Sequence, residues 1–210
     1  MSPKVKVRVK VEVKGKGKGK GKGQGKGRAK GKETEKKVSR SSVSKGKIKQ
    51  WPKQEHVKFL LKSEPDEFCI TDLESKPDQV APWDGIRNFE AAKMLRDEFK
   101  IGDKAYFYHS SCKDLGIVGE VEVTKEAYPD PEQFDSERKY YDAKSSQDNI
   151  RWWCVDVRLI KKYSKIISLH ELKACPELKD LQMLKRGRLS VSRVSSDQCD
   201  AISRLMAAKE

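Results

Sequence analysis

Histidine is scarce in this chain, three in 210 residues, and its five cysteines (Cys69, Cys112, Cys154, Cys175, Cys199) are scattered, with no CxxC pair. A structural zinc site needs grouped nitrogen and sulfur ligands, so no metal is expected, and no other cofactor either. An odd number of isolated thiols points to a reducing compartment and to folding without disulfides. No stretch approaches the roughly 18 consecutive apolar residues that would span a bilayer, so no membrane partner is expected. The Met1 end is charged and lacks both an apolar segment and a small-residue cleavage site, which argues against a secretory signal. Acid is nearly missing from one region. Residues 1–55 hold 4 Asp or Glu against 20 Lys or Arg, whereas residues 56–210 hold 28 against 26. The net charge of +14 therefore divides into +16 and −2.

That split predicts a basic tail, 1–55, joined to a nearly neutral domain, 56–210. Val5, Val7, Val9, Val11 and Val13 alternate mostly with lysine, a strand pattern without a partner. Lys14 to Lys32 is mostly Lys-Gly repeat, which cannot build a core, and a Ser/Lys-rich linker follows, so the tail is expected to be disordered. Its dense positive charge suits a polyanion, through counterion release and without sequence reading. Basic runs of this kind also act as nuclear addresses. The domain is long enough to bury a core of its own, and a monomer is expected.

Within the domain, Val57–Lys62 reads as a strand stopped by Pro65. Thr71-Asp72-Leu73-Glu74 has capping-box spacing and opens a short helix, and a loop with Pro77 and Pro82 leads to Trp83. Asn88 suits the N-cap of a helix over 89–99, whose Ala91, Ala92, Leu95 and Phe99 share a face. Ala105–His109 and Gly116–Thr124 form a plausible hairpin. Residues 128–150 read as a long acidic loop, and 152–167 as a long strand. A short helix over 168–174, a last strand at Leu189 and Val191, and a capped amphipathic helix after Ser195 complete the chain. With about four or five strands and several helices that do not strictly alternate, the class is α+β with a curved or barrel-like sheet.

Trp83-Asp84-Gly85-Ile86-Arg87-Asn88 gathers a large aromatic, a carboxylate, a glycine, a guanidinium and a cap. An aromatic face can stack on a planar ligand while polar neighbours read its edge. A core tryptophan followed by an ordinary turn is the structural alternative. These residues also carry a family resemblance. Phe59-Leu60-Leu61-Lys62-Ser63-Glu64-Pro65 resembles the opening strand of an EVE domain, and Trp83–Asn88 its Trp-x-Gly-Val-Arg-Asn segment. Gly102-Asp103, Phe107-Tyr108-His109-Ser110, Gly116–Gly119, Ala127–Asp130, Trp152 with Val155-Asp156-Val157, and Arg188-Leu189-Ser190-Val191 follow in the family's order. The resemblance covers residues 56–208. It implies a PUA-like fold, a small β-barrel with surrounding helices, and a non-catalytic reader of a modified base in DNA or RNA, modified cytosine foremost. Two departures stand out: Phe59 replaces a frequent Trp, and Glu90-Ala91-Ala92-Lys93 replaces the usual Gln-Ala-Arg-Asn, so that helix lacks one Arg and one Asn that the family pattern would place beside the pocket.

A base pocket needs a stacking face, for which Trp83 is the first candidate and Tyr108 and Trp152 the next. It needs edge readers, for which Ser63, Glu64, Asn88 and Ser110 have the donors and acceptors. Lys62, Arg87 and His109 could meet phosphate or a base acceptor, and Gly85, Ile86, Leu189, Ser190 and Val191 complete the expected set. The structural alternatives are a Lys62–Glu64 ion pair, an Arg87–Asp84 ion pair, and barrel core for Leu189 to Val191. Two other functional classes stay open: an RNA-cleaving enzyme built on His109-Ser110-Ser111-Cys112, and a protein-interaction module whose tail alone meets nucleic acid.

Overall fold

A computed structural model describes residues 57–209, so the basic tail and its linker lie outside the described residues. Strand β1 (Val57–Ser63) is apolar on both faces, with Leu60 and Leu61 fully buried. That is the pattern of a strand covered on both sides. It pairs parallel with β3 (Lys104–His109) and antiparallel with β6 (Val191–Arg193). β3 turns back into β4 (Gly116–Pro129) as the expected hairpin, and β4 pairs with β5 (Trp153–Ser168).

Corrections to the sequence reading begin at Val80. Residues 80–83 form a strand, β2 (Val80–Trp83), paired antiparallel with β5, where a loop was expected. The sheet order is then β2-β5-β4-β3-β1-β6. The two outer strands do not pair with each other, so the sheet is PUA-like in its curl but is not a closed barrel. Both edges are weak. β2 has four residues and includes Pro82, which has no N–H for a ladder, and β6 has three.

The sheet separates two apolar clusters. β4 and β5 serve both, because register shifts along their pairing bend them. One cluster is covered by α1 (Ile70–Glu74) and α2 (Phe89–Glu98). The other is covered by α3 (Leu169–Ala174), α4 (Gln182–Lys185) and α5 (Ser196–Ala207). α2 starts as its sequence predicts: the Asn88 side chain accepts from the N–H groups of Glu90 (2.9 Å) and Ala91 (3.1 Å). α5 is capped by Ser195 and Gln198, also as predicted. The N-cap of α1 is Cys69, two residues before the expected Thr71, because Asp72 reaches back to accept from Cys69 N–H at 2.8 Å. The acidic loop is shortened, since β4 extends to Pro129, and Leu189 precedes the last strand rather than belonging to it.

Candidate nucleic-acid interface

A cavity of about 910 Å³ opens where the two sheet edges fail to meet. Ala81, Pro82 and Trp83 line it from β2, Lys62 and Ser63 from the end of β1, and Leu189 and Ser190 from the approach to β6. Phe68, Ile86, Ser110, Ser111, Lys139 and Tyr140 contribute from loops. The cavity's volume lies within the roughly 300–1,000 Å³ common for small-ligand sites.

Ten of the predicted site residues line it: Lys62, Ser63, Glu64, Trp83, Gly85, Ile86, Arg87, Ser110, Leu189 and Ser190. The other five do not. Asn88 is engaged as the α2 cap. Tyr108 faces the opposite cluster, and Val191 is fully buried in β6. His109 accepts from Ile70 N–H at 3.2 Å and meets Phe107 edge-on at 5.5 Å, and its burial lowers its pKa. Trp152 is buried, stacks on Phe89 at 4.7 Å and donates its indole N–H to Asp142 at 2.6 Å.

Trp83 is both wall and core. Only 4% of its surface is exposed, and it meets Phe107 at 5.1 Å and Phe68 at 6.2 Å, both edge to face. Successive side chains of β2 point to opposite faces of the sheet, so Trp83 is buried although Pro82, just before it, is exposed.

Neither ion pair of the structural alternative forms among the described residues. Lys62 donates to Gly187 O at 2.9 Å, while Glu64 accepts from Ser111 Oγ at 2.9 Å. Burial lowers the Lys62 pKa. Arg87 binds Asp130, not Asp84, at 2.6 Å, and also donates to Tyr140 O. Asp130 has no exposed surface and further accepts from the N–H groups of Gly85 (3.1 Å) and Glu132 (2.9 Å). It therefore anchors the segment after Trp83 to the end of β4. Ser63 and Ser110 spend their hydroxyl donors on Phe68 O (2.6 Å) and Ser63 O (3.2 Å), so their oxygens remain as acceptors.

Asp84 is left on the cavity wall without a hydrogen bond or ion pair to another described residue. Its carboxyl is pushed up to about 6, first by burial, then by Asp130 and Glu132. Phe68, Glu67, Lys139 and Tyr140 were not foreseen as lining. Lys139 and Tyr140 both bind Glu67, 72 and 73 residues away in sequence, so no local pattern could have revealed them.

The EVE domain model matches residues 58–205. The chain belongs to the EVE domain family. Among curated proteins, thymocyte nuclear protein 1 of Rattus norvegicus is 39% identical over 168 residues, covering 72% of this chain and 74% of that protein. Its Homo sapiens counterpart is 37% identical over 161 residues, covering 69% and 71%. Among solved structures, human THYN1 protein in complex with 5-methylcytosine-containing DNA matches this EVE chain with a TM-score of 0.68. It is 37% identical, and the match covers 70% of this chain and 96% of that one. A hypothetical protein from Leishmania major matches at TM-score 0.69 and 37% identity, covering 73% and 96%.

Proposed function

We propose that this EVE domain binds DNA as a non-catalytic reader of modified cytosine, taking the base into the cavity between the sheet edges. The observation that carries the reading is the likeness to a human protein captured with 5-methylcytosine DNA, over 96% of that chain. The cavity's chemistry fits a base. Trp83, Phe68, Ile86 and Leu189 offer apolar wall, and stacking on one aromatic is worth about 1–3 kcal/mol. Extruding a base from a duplex costs a few kcal/mol, which stacking and edge contacts must offset. Lys62 and the exposed Arg188 stand at the cavity for the phosphates. The basic tail adds affinity without selectivity, and together with the name of the relatives it supports a nuclear location.

The test is a binding series with DNA and RNA strands that differ in one base only, using the full chain and a chain lacking residues 1–50. Deletion should weaken binding to every strand and flatten its salt dependence. It should leave the ratio between methylated and unmethylated DNA nearly unchanged. A ratio of one in the full chain would overturn the reader, and a ratio lost with the tail would overturn the division of labour. A preference for RNA would move the substrate class.

A further inference from the structure

We propose that Asp84 reads the Watson–Crick edge of the cytosine ring, pairing with N3 and the 4-amino group through one shared proton. The inference rests on the DNA-reading function above and names the residue that gives it base identity.

The first observation is what Arg87 does. In the sequence the guanidinium stands three residues from Asp84 and is its natural partner. In the fold Arg87 is drawn to Asp130 and to Tyr140 O, so Asp84 lines the cavity with its own backbone N–H as its one hydrogen-bond donor among the described residues and with Arg87 acting on it only at a distance. A half-buried carboxyl is seldom left so, because an unpaired polar group costs free energy when water is withdrawn. A ligand that supplies the partner recovers that cost. The second observation is the proton. Burial, Asp130 and Glu132 raise the Asp84 pKa to about 6, so the group holds a proton near neutrality far more readily than an exposed aspartate.

The two faces of that carboxyl match cytosine. Its O–H donates to N3, and its other oxygen accepts from the 4-amino N–H. Above pH 6 the free carboxyl is ionised, so one proton is taken from solvent for each base bound. Placing that proton on N3 and leaving Asp84 as carboxylate gives the same count. Methylation at C5 leaves this edge unchanged, so Asp84 sets affinity for the base while the apolar wall senses the methyl group. The sign follows by linkage. The bound state holds a proton that the free state lacks, so affinity falls as pH rises above about 6, approaching tenfold per pH unit, and flattens below it. The charged and titratable groups acting on Asp84 are Arg87 beside it, Asp130 and Glu132 after β4, and Cys154 on β5, while Lys62, Glu64, Glu67, Lys76, Lys139, Tyr140 and Arg188 line the same cavity. The Cys154 thiol, pushed up to about 12 by burial, does not titrate in this window. His109, whose pKa burial lowers, lies outside the cavity.

The experiment measures, with the full chain from pH 5.5 to 8.5 at fixed salt, binding to three single strands. One carries a single 5-methylcytosine, one carries cytosine there, and one has no cytosine and reports the tail and phosphate contribution. Asp84→Ala should lose roughly tenfold or more of the methylated strand's advantage over the cytosine-free strand at pH 6. Asp84→Asn offers an amide donor and acceptor without a proton, so it should keep most of that advantage and lose the pH dependence. Circular dichroism checks the fold of both variants, and the Asn variant decides the matter if the Ala variant unfolds. A wild type that prefers the methylated strand with a flat pH profile would overturn the role of Asp84 alone. The same slope surviving in Asp84→Asn would assign the proton elsewhere, His109 first, and also overturn it. A wild type without preference for methylation would overturn the reader function itself.

Discussion

The two faces of the sheet are built from the same strands and end differently. β3 shows both: Tyr106 and Tyr108 turn to the face covered by α3, α4 and α5, while Ala105 and Phe107 turn to the face covered by α1 and α2. On the first face Leu60, Ile117, Ile167, Leu172, Leu178, Leu181 and Ile202 have no exposed surface. On the second, packing is as tight around Phe99 and Leu95, yet a cavity opens beside Trp83. The difference lies at the sheet edges. Helices cover both faces, but beside α1 and α2 the cavity is lined by Ala81, Pro82 and Trp83 of β2, by Leu189 and Ser190 before β6, and by loops with Asp84, Arg87 and Tyr140. The cavity lies beside a core that is fully packed around Phe99 and Leu95.

The sharpest way to break this contrast is a pair of substitutions. Trp83→Ala should cost about 3–5 kcal/mol of stability, since a nearly buried indole leaves a cavity behind, and should also abolish preference for the methylated strand. Leu60→Ala should cost about 2–5 kcal/mol while the folded fraction keeps that preference. Denaturant unfolding and strand binding on the same samples would report both. Loss of preference in Leu60→Ala, or its survival in Trp83→Ala, would erase the division between the faces.

A smaller effect is expected at Gly85, which has φ +70° and would place a Cβ 2.8 Å from the Tyr140 ring. Gly85→Ala should cost about 1–3 kcal/mol and shift Tyr140 from the cavity wall, read as a lower melting temperature with weakened binding. Unchanged binding with lowered stability would show that Tyr140 is scaffold only.

The smallest effect belongs to the face covered by α3, α4 and α5. The Glu171 carboxyl is held down to about 2 by Lys209 from beyond α5, then by the Ser168 hydroxyl and N–H at the start of α3. A depressed folded pKa stabilises above the ordinary carboxylate value of 4.5 and loses that contribution as pH falls toward 2. Glu171→Gln should therefore lower Tm by about 2–4 °C at pH 7, since partial exposure screens the pair, with the difference vanishing on acidification. Strand binding should not change. A difference that persists to pH 2.5 would mean the helix cap, not the charge, is at work.

Much of the fold was legible locally. The Asn88 cap, the Ser195–Gln198 box, the β3–β4 hairpin and β5 all follow from short-range signals, because capping and alternation act over a few residues. β2 was not legible. Its four residues include a proline and pair on one side only, so no alternation marks them. Within the candidate site, the Trp83–Arg87 segment announced itself by residue type, and ten of the fifteen expected residues line one cavity.

By itself the sequence determined the charge division, the caps, the apolar runs that must be buried and, by resemblance, the family. Tertiary structure decided the partners. Arg87 meets Asp130 across 43 residues instead of Asp84 across three, and Tyr140 arrives from a loop to bind Glu67. Ion-pair choice depends on which carboxylate the packed chain brings within reach and how far each is withdrawn from water, and neither quantity is carried by spacing along the chain. The same holds for the cavity. Whether a six-stranded sheet closes depends on what its edge strands can pair with, and that is settled only when both ends of the sheet are in place.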